Sequence, residues 1–167
     1  MHKDIAAYQE IPENSRKMAD LIIRNLRIHT PDGYKTVDVS FKSEEIQNEE
    51  ATDFYRKASI DDLGDLSTSF GYKEFNAEGL SIKMGKVGTV EQVAEIDEAD
   101  WLRRGYGDLV FQGADALFEV HKLGVNFHEN EKEVDKELNP GKNPSFFLLN
   151  EGKLRYAVVN GRLISLF

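Results

Sequence analysis

Apolar spacing, a capping signal and a glycine interruption coincide in one long stretch, Thr89 to Gly124. Thr89 followed three residues later by Gln92 has the form of a capping box, which satisfies free amides at a helix start and predicts a helix from Val90. Val90, Val93, Ala94, Asp97, Trp101 and Leu102 then fall at three- and four-residue steps and share one mostly apolar face. Gly105 and Gly107, free to take a positive φ, stop or bend that helix. From Asp108 the pattern resumes with Leu109, Val110, Ala114, Leu117, Phe118 and His121, and Gly124 stands where a C-terminal cap belongs. Two helices meeting at a Gly-Tyr-Gly joint are predicted. The run 89–97 also reads as a strand, because Val90, Val93 and Ile96 are β-branched. Arg103-Arg104-Gly105-Tyr106-Gly107 then becomes a loop between a strand and a helix N-terminus, where exposed amides and the helix dipole favour an anion.

Ahead of this stretch, Asn14 or Ser15 offers an N-cap, and Met18, Leu21, Ile22 and Leu26 predict a helix running to His29. Thr30-Pro31-Asp32-Gly33 has the chemistry of a turn, and Tyr34 to Phe41 alternates as a strand. Ser43 to Ala58 reads as a helix, with Glu44 and Glu45 in its first turn and Arg56 and Lys57 in its last, as the macrodipole prefers. An acidic link, Asp61 to Asp65, leads to a hairpin of Phe70–Phe75 and Leu80–Met84. Beyond Gly124 come a short apolar piece, Val125 to Phe127, and a charged surface helix or turn over Glu129 to Leu138. Finally Phe146–Leu149, Leu154–Val159 and Leu163–Phe167 are separated by Glu151-Gly152 and Asn160-Gly161, so the C-terminus is predicted to be a three-stranded antiparallel meander. The expected architecture is one α+β domain spanning residues 1–167: an antiparallel sheet of about five to seven strands covered by about four helices.

A net charge of −9 opposes nonspecific attraction to phosphate backbones, which excludes nucleic acid as the expected partner. The acid is spread along the chain as solvated faces, and a basic or cationic protein is the partner it favours. With no cysteine there is no disulfide framework, thiolate zinc site or cysteine nucleophile. No run approaches the roughly eighteen apolar residues of a spanning helix, and Met1-His2-Lys3-Asp4 lacks a secretory core, so a soluble cytoplasmic protein is expected.

The segment Trp101 to Gly107 resembles the pyrophosphate loop of the GCN5-related N-acetyltransferases, an Arg or Gln, two residues, then Gly-x-Gly opening a helix. This resemblance implies acetyl-coenzyme A held by Arg103, Arg104, Gly105, Tyr106 and Gly107, although Leu102 stands where the family has Arg or Gln. Arg56, Ser67-Thr68-Ser69 and Glu131-Lys132-Glu133 resemble, in order, the signature of ADP-ribosyltransferases, which implies NAD held by the arginine and serine and an oxocarbenium ion stabilised by the second glutamate. His121 and His128 with Glu129 and Glu131 are of metal-ligand type, but their spacing matches no known site, so no metal is expected. No serine elbow, helical His-Glu-x-x-His pair or Walker loop is present.

Without a chemical motif, the chain reads as a protein-binding domain of accessory, regulatory, inhibitor or immunity type, with no cofactor and no catalytic residue assigned. The acetyltransferase is the alternative. Trp101, Tyr106, Tyr34, Tyr72 and Tyr156 are candidate interface anchors, and the edge Leu163 to Phe167 is a candidate for pairing with a partner strand or a second copy.

Overall fold

The computed structural model describes residues 18–47, 54–89, 98–110, 126–128 and 130–167. Its strands are β1 (Met18–Thr30), β2 (Gly33–Gln47), β3 (Phe54–Gly64), β4 (Phe70–Asn76), β5 (Ser81–Met84), β6 (Lys86–Thr89), β7 (Tyr106–Val110), β8 (Asn126–His128), β9 (Phe146–Asn150), β10 (Lys153–Val159) and β11 (Arg162–Ser165). A six-residue helix, α1 (Glu98–Arg103), lies between β6 and β7, and a 3-10 turn covers Glu131–Glu133. The strands form three sheets, ordered β3-β2-β1-β4, β11-β10-β9-β5 and β6-β7-β8. The expectation of an α+β fold with about four helices is therefore corrected: among the described residues the protein is a β structure with one short α-helix.

The helix expected over Met18 to His29 is strand β1, and a β-bulge explains the false helical stripe. Leu21 and Ile23 face the main core; Asn25, at φ 59°, then adds a residue that slips the register against β2 between Ile23 and Leu26. Leu26 and Ile28 return to the core with shifted phase. Ile22 is fully buried as well, so buried Leu21, Ile22 and Leu26 fall at the three- and four-residue steps that, with exposed Met18, read as a helical stripe.

The helix expected over Ser43 to Ala58 is instead two antiparallel strands, whose connection lies outside the described residues. Glu44 stands opposite Lys57 and Glu45 opposite Arg56 in the β2·β3 register. The residues that suited the two ends of a helix are thus register partners on adjacent strands.

Both strands expected between residues 70 and 84 exist, but they do not form a hairpin. β4 runs parallel to β1 in the first sheet, while β5 pairs with β9 in the second. The acidic link expected over 61–65 is mostly the end of β3. The capping-box residue Thr89 ends β6, and the run 90–97 that was open between helix and strand lies outside the described residues. The second central helix is corrected at its start, where Tyr106 to Val110 is a strand; 111–125 are likewise outside the description.

Residues 146–165 form the expected meander. Asn160 (φ 50°) and Gly161 (φ 70°), like Glu151 (φ 52°) and Gly152 (φ 79°), supply the paired positive φ values that a tight hairpin demands.

The first two sheets pack face to face. Leu21, Leu26, Val39, Phe41 and Ile60 meet Phe146, Leu148 and Val158 across the interface. The opposite face of the second sheet is also covered: Phe147, Ala157 and Val159 pack against Trp101 and Leu102 of α1 and Leu109 of β7. Burial on both faces is why Phe146 to Leu149 of β9 and Tyr156 to Val159 of β10 are continuously apolar.

Candidate functional site

The segment Arg103 to Gly107 is a junction between a helix end and a strand. Gly105, at φ +89°, donates its amide to the Leu102 carbonyl at 2.9 Å and closes α1 as a C-terminal cap. The strand-loop-helix order implied by the acetyltransferase resemblance is not what surrounds it: the helix precedes the glycines and β7 follows them. The helix end presented here carries partial negative charge, the wrong sign for a diphosphate.

Arg103 turns toward the C-terminus. Its Nε donates to the Leu166 carbonyl at 3.0 Å, its guanidinium lies 5.7 Å from the Phe167 ring centre, and Nη1 is 3.6 Å from Asp100. Arg104 is exposed, and the Tyr106 ring is approached by Lys86 Nζ at 4.5 Å. Gly107 serves close packing, because a Cβ placed there would lie 2.4 Å from the Ser145 Cβ.

A polar cluster that sequence reasoning missed sits immediately beyond this junction. Asp108, 2% exposed, is hydrogen-bonded through Oδ1 to His128 Nε2 at 2.8 Å. Asn126, opposite Asp108 in the β7·β8 register, donates through Nδ2 to Ser145 Oγ at 2.9 Å and to the Asn143 carbonyl at 3.2 Å. Asn143 Nδ2 in turn donates to Asn126 Oδ1 and Asn160 Oδ1, each at 3.2 Å. These residues come from β7, β8, the 143–145 segment and the β10–β11 turn, so nothing in their spacing announced them. The Ser145 hydroxyl donates to the Gly107 carbonyl at 3.0 Å, away from the imidazole, so the cluster has the form of a buried network joining strands. No group of three or more metal-ligand side chains occurs among the described residues; His128 is turned to Asp108, Glu131 is exposed, and His121 and Glu129 are outside the description.

The residues that resemble an ADP-ribosyltransferase signature are not brought together. Arg56 lies near the start of β3, and Ser67 to Ser69 follow its far end, roughly 25 Å away at the rise of an extended strand. Glu131 to Glu133 form the exposed 3-10 turn. Ser67 has a local role: its amide donates to Asp65 Oδ1 at 3.0 Å, and the Ser67 amide and hydroxyl hold the Asp65 carboxyl below the ordinary aspartate value.

The candidate interface aromatics divide sharply. Trp101 is 4% exposed and belongs to the core, which corrects its expected role, and Tyr156 packs on Phe75 with ring centres 4.7 Å apart. Tyr34 is exposed beneath Arg27, whose guanidinium lies 4.0 Å from the ring centre. Tyr72 is 79% exposed on β4, where Phe70 is 61% exposed and Met18, its register partner on β1, 45%. β4 is the last strand in the order of the first sheet, and β11 holds the same place in the second.

Beside Tyr72 a cleft of about 560 Å³ opens between the two packed sheets. Leu21, Phe41, Ala58 and Leu163 contribute its apolar lining, while Asp20, Lys73 and Arg162 bring charge.

No family model matches the chain, and no curated protein matches it. Among solved structures it is similar to a D-aminoacylase described as defining a novel subset of amidohydrolases, with a TM-score of 0.38 and 15% identity over 57% of this chain and 19% of that one. An N-acyl-D-glutamate deacylase from Bordetella bronchiseptica, complexed with zinc and a phosphonate inhibitor, gives a TM-score of 0.38 and 14% identity over 66% of this chain and 20% of the other. The chain spans about a fifth of the length of these enzymes, and the scores are too low to establish a shared fold. No helix among the described residues is long and apolar enough to cross a membrane.

Proposed function

We propose that the protein is a non-catalytic recognition domain that binds another protein through the β4 edge of its first sheet. The observation that carries this reading is the alternation of Phe70 and Tyr72, both exposed, on a terminal strand beside exposed Met18. Residues two apart on a strand share a face, so the two rings and the methionine form one apolar surface along an edge. Large aromatics are the side chains that anchor interfaces, and a sheet edge offers main-chain donors and acceptors to an extended segment of a partner. The occupant we infer is an extended segment of a cationic protein, because a net charge of −9 draws positive partners and repels acidic ones.

The test is capture by immobilised wild-type protein beside Phe70→Ser, followed by direct titration of any purified candidate. Phe70 is exposed, so the variant should keep the wild-type melting temperature. The reading expects a basic protein that binds wild type saturably and binds Phe70→Ser at least tenfold more weakly. Equal binding to both would overturn the β4 assignment. A saturable rise in melting temperature with acetyl-coenzyme A or NAD would overturn the non-catalytic reading itself.

A further inference from the structure

We propose that the exposed face of the β1–β2 hairpin is a second docking surface, and that its partner is an extended protein segment rich in carboxylates. This goes beyond the edge-strand reading and does not rest on it, since β4 ends short of this surface. β3 pairs with β2 only between Asp38 and Gln47, and β4 with β1 only between Met18 and Arg24. Residues 26–37 therefore run on past both neighbours as a two-stranded ribbon. Leu26 and Val37 turn one face of the ribbon into the core, with Ile28 packed beside them. Alternation places Arg27, His29, Tyr34 and Thr36 on the other face, where all four are exposed.

These side chains are already arranged before a partner arrives. The Arg27 guanidinium lies 4.0 Å from the centre of the Tyr34 ring, and that ring meets His29 at a near right angle with centres 5.2 Å apart. A guanidinium stacked on an aromatic face keeps its planar N–H edge open to a carboxylate, and the stacking reduces the rotamer freedom that binding would cost. Among the described residues no carboxylate or carbonyl accepts from Arg27. The ribbon carries Arg27 and Lys35 against Asp32 alone, which reverses the prevailing sign of a chain whose net charge is −9. At physiological salt a charge is felt over only about 8 Å, so the ribbon's own cations decide what docks there. Tyr34, 67% exposed, adds apolar surface beside the cation, which suits a peptide side chain better than a bare ion. Neither outer edge of the ribbon is paired with another described strand, so its main chain can also bond an extended segment. A nucleic acid would bring a long phosphate backbone against the acidic surface beyond the ribbon, whereas a short acidic segment meets the ribbon alone.

The test is a titration of the whole protein, followed by amide NMR, with the end-blocked peptide Gly-Glu-Leu-Glu-Leu-Glu-Gly and its counterparts carrying Gln or Lys in place of Glu. Saturable shifts are expected at Arg27, His29, Tyr34 and Thr36, with the Glu peptide about tenfold tighter than the Gln peptide and the Lys peptide weakest. Arg27→Gln should remove most of the preference for Glu over Gln, and Arg27→Lys, which keeps the charge without the planar fork, should restore only part of it. Tyr34→Leu should weaken the Glu peptide several-fold by releasing the stacked guanidinium. Arg27 and Tyr34 are both exposed, so the three variants should melt as wild type does. Equal affinity for the Glu and Gln peptides, shifts confined to β4 or to other residues, or tighter binding of a single-stranded oligonucleotide of the same charge would each overturn the assignment. Phe70→Ser should leave these titrations unchanged, so failure here and failure of the edge-strand reading are separable.

Discussion

The Ser145 hydroxyl donates to the Gly107 carbonyl at 3.0 Å, with so little space between the two residues that a Cβ on Gly107 would lie 2.4 Å from that of Ser145. The same serine accepts from Asn126 Nδ2 at 2.9 Å, and its carbonyl accepts from the Gly85 amide at 2.9 Å. One residue thus ties β7, β8 and the β5–β6 joint together. Gly107→Ala should destabilise the fold by about 2 kcal/mol or more, because the added methyl meets a Cβ and backbone that have nowhere to retreat. Thermal unfolding would show a melting temperature lower by roughly 4–8 °C. The double variant Gly107→Ala with Ser145→Gly should lose less than the two single changes added together, since the second change removes the atom struck by the first. Strict additivity would contradict the contact.

Arg24 is the fastening point of the β1 bulge. Its Nη2 and Nε reach Glu74 Oε1 at 2.6 and 2.7 Å, Nη1 donates to the Leu66 carbonyl at 2.9 Å, and Nη2 to the Ser69 carbonyl at 2.8 Å. Arg24→Met keeps the aliphatic stem but leaves two loop carbonyls and a carboxylate without this donor. We expect a loss of about 1.5–3 kcal/mol in urea unfolding. Glu74→Gln, at a more exposed position, should cost under about 1 kcal/mol. Equal losses would mean that the carbonyl contacts contribute nothing.

How much of this was legible depends on which interactions decide each element. The Asn160-Gly161 hairpin was readable because a two-residue turn with both φ values positive is a local demand that Asn and Gly meet by themselves. Strand β1 was not, because a single bulge at Asn25 breaks the period-two alternation and leaves apolar residues at helical spacing. Glu44, Glu45, Arg56 and Lys57 suit two sequence patterns equally well, a helix with complementary ends or an antiparallel ladder in which they are register partners. Only long-range packing chooses between them. Pairing was less legible than strand position: nothing local in Phe70 to Met84 reveals that β4 and β5 leave for different sheets. Gly105 does stop the helix before it, as the expected interruption required, whereas Gly107 lies within β7 rather than at a joint between two helices. The cleft and the Asp108–His128 cluster join residues far apart in the chain, which no spacing rule connects.

Acid should act on the loop after β3. The Asp65 carboxyl is held below the usual aspartate value by the Ser67 amide and hydroxyl. A group whose folded value is depressed contributes stability above its unfolded value, and loses that contribution as pH falls through the folded one. Asp65→Asn should therefore be less stable than wild type near neutral pH, and the difference should shrink as the pH drops through and below the ordinary aspartate range near 4. Unfolding free energies of both proteins measured at pH 6 and pH 2.5 decide this. A difference that grows on acidification would reverse the sign and remove the Ser67 contacts as its cause.

Asn160 couples the two packed sheets. Besides taking φ 50° in the hairpin turn, its Oδ1 accepts from the Ala58 amide at 2.9 Å and from Asn143 Nδ2 at 3.2 Å, so β3 of one sheet is bonded to the β10–β11 turn of the other. The two roles can be separated by substitution. Asn160→Gly keeps the turn conformation but leaves the Ala58 amide, on a fully buried residue, without that acceptor, at about 1–2 kcal/mol. Asn160→Ala loses the same bonds and adds roughly 1 kcal/mol for holding a Cβ in the left-handed region. Asn160→Asp retains an acceptor for the Ala58 amide and should cost least. Chemical denaturation should rank stability as wild type, Asp, Gly, Ala; an alanine variant as stable as the glycine one would show that the turn conformation is not maintained by Asn160.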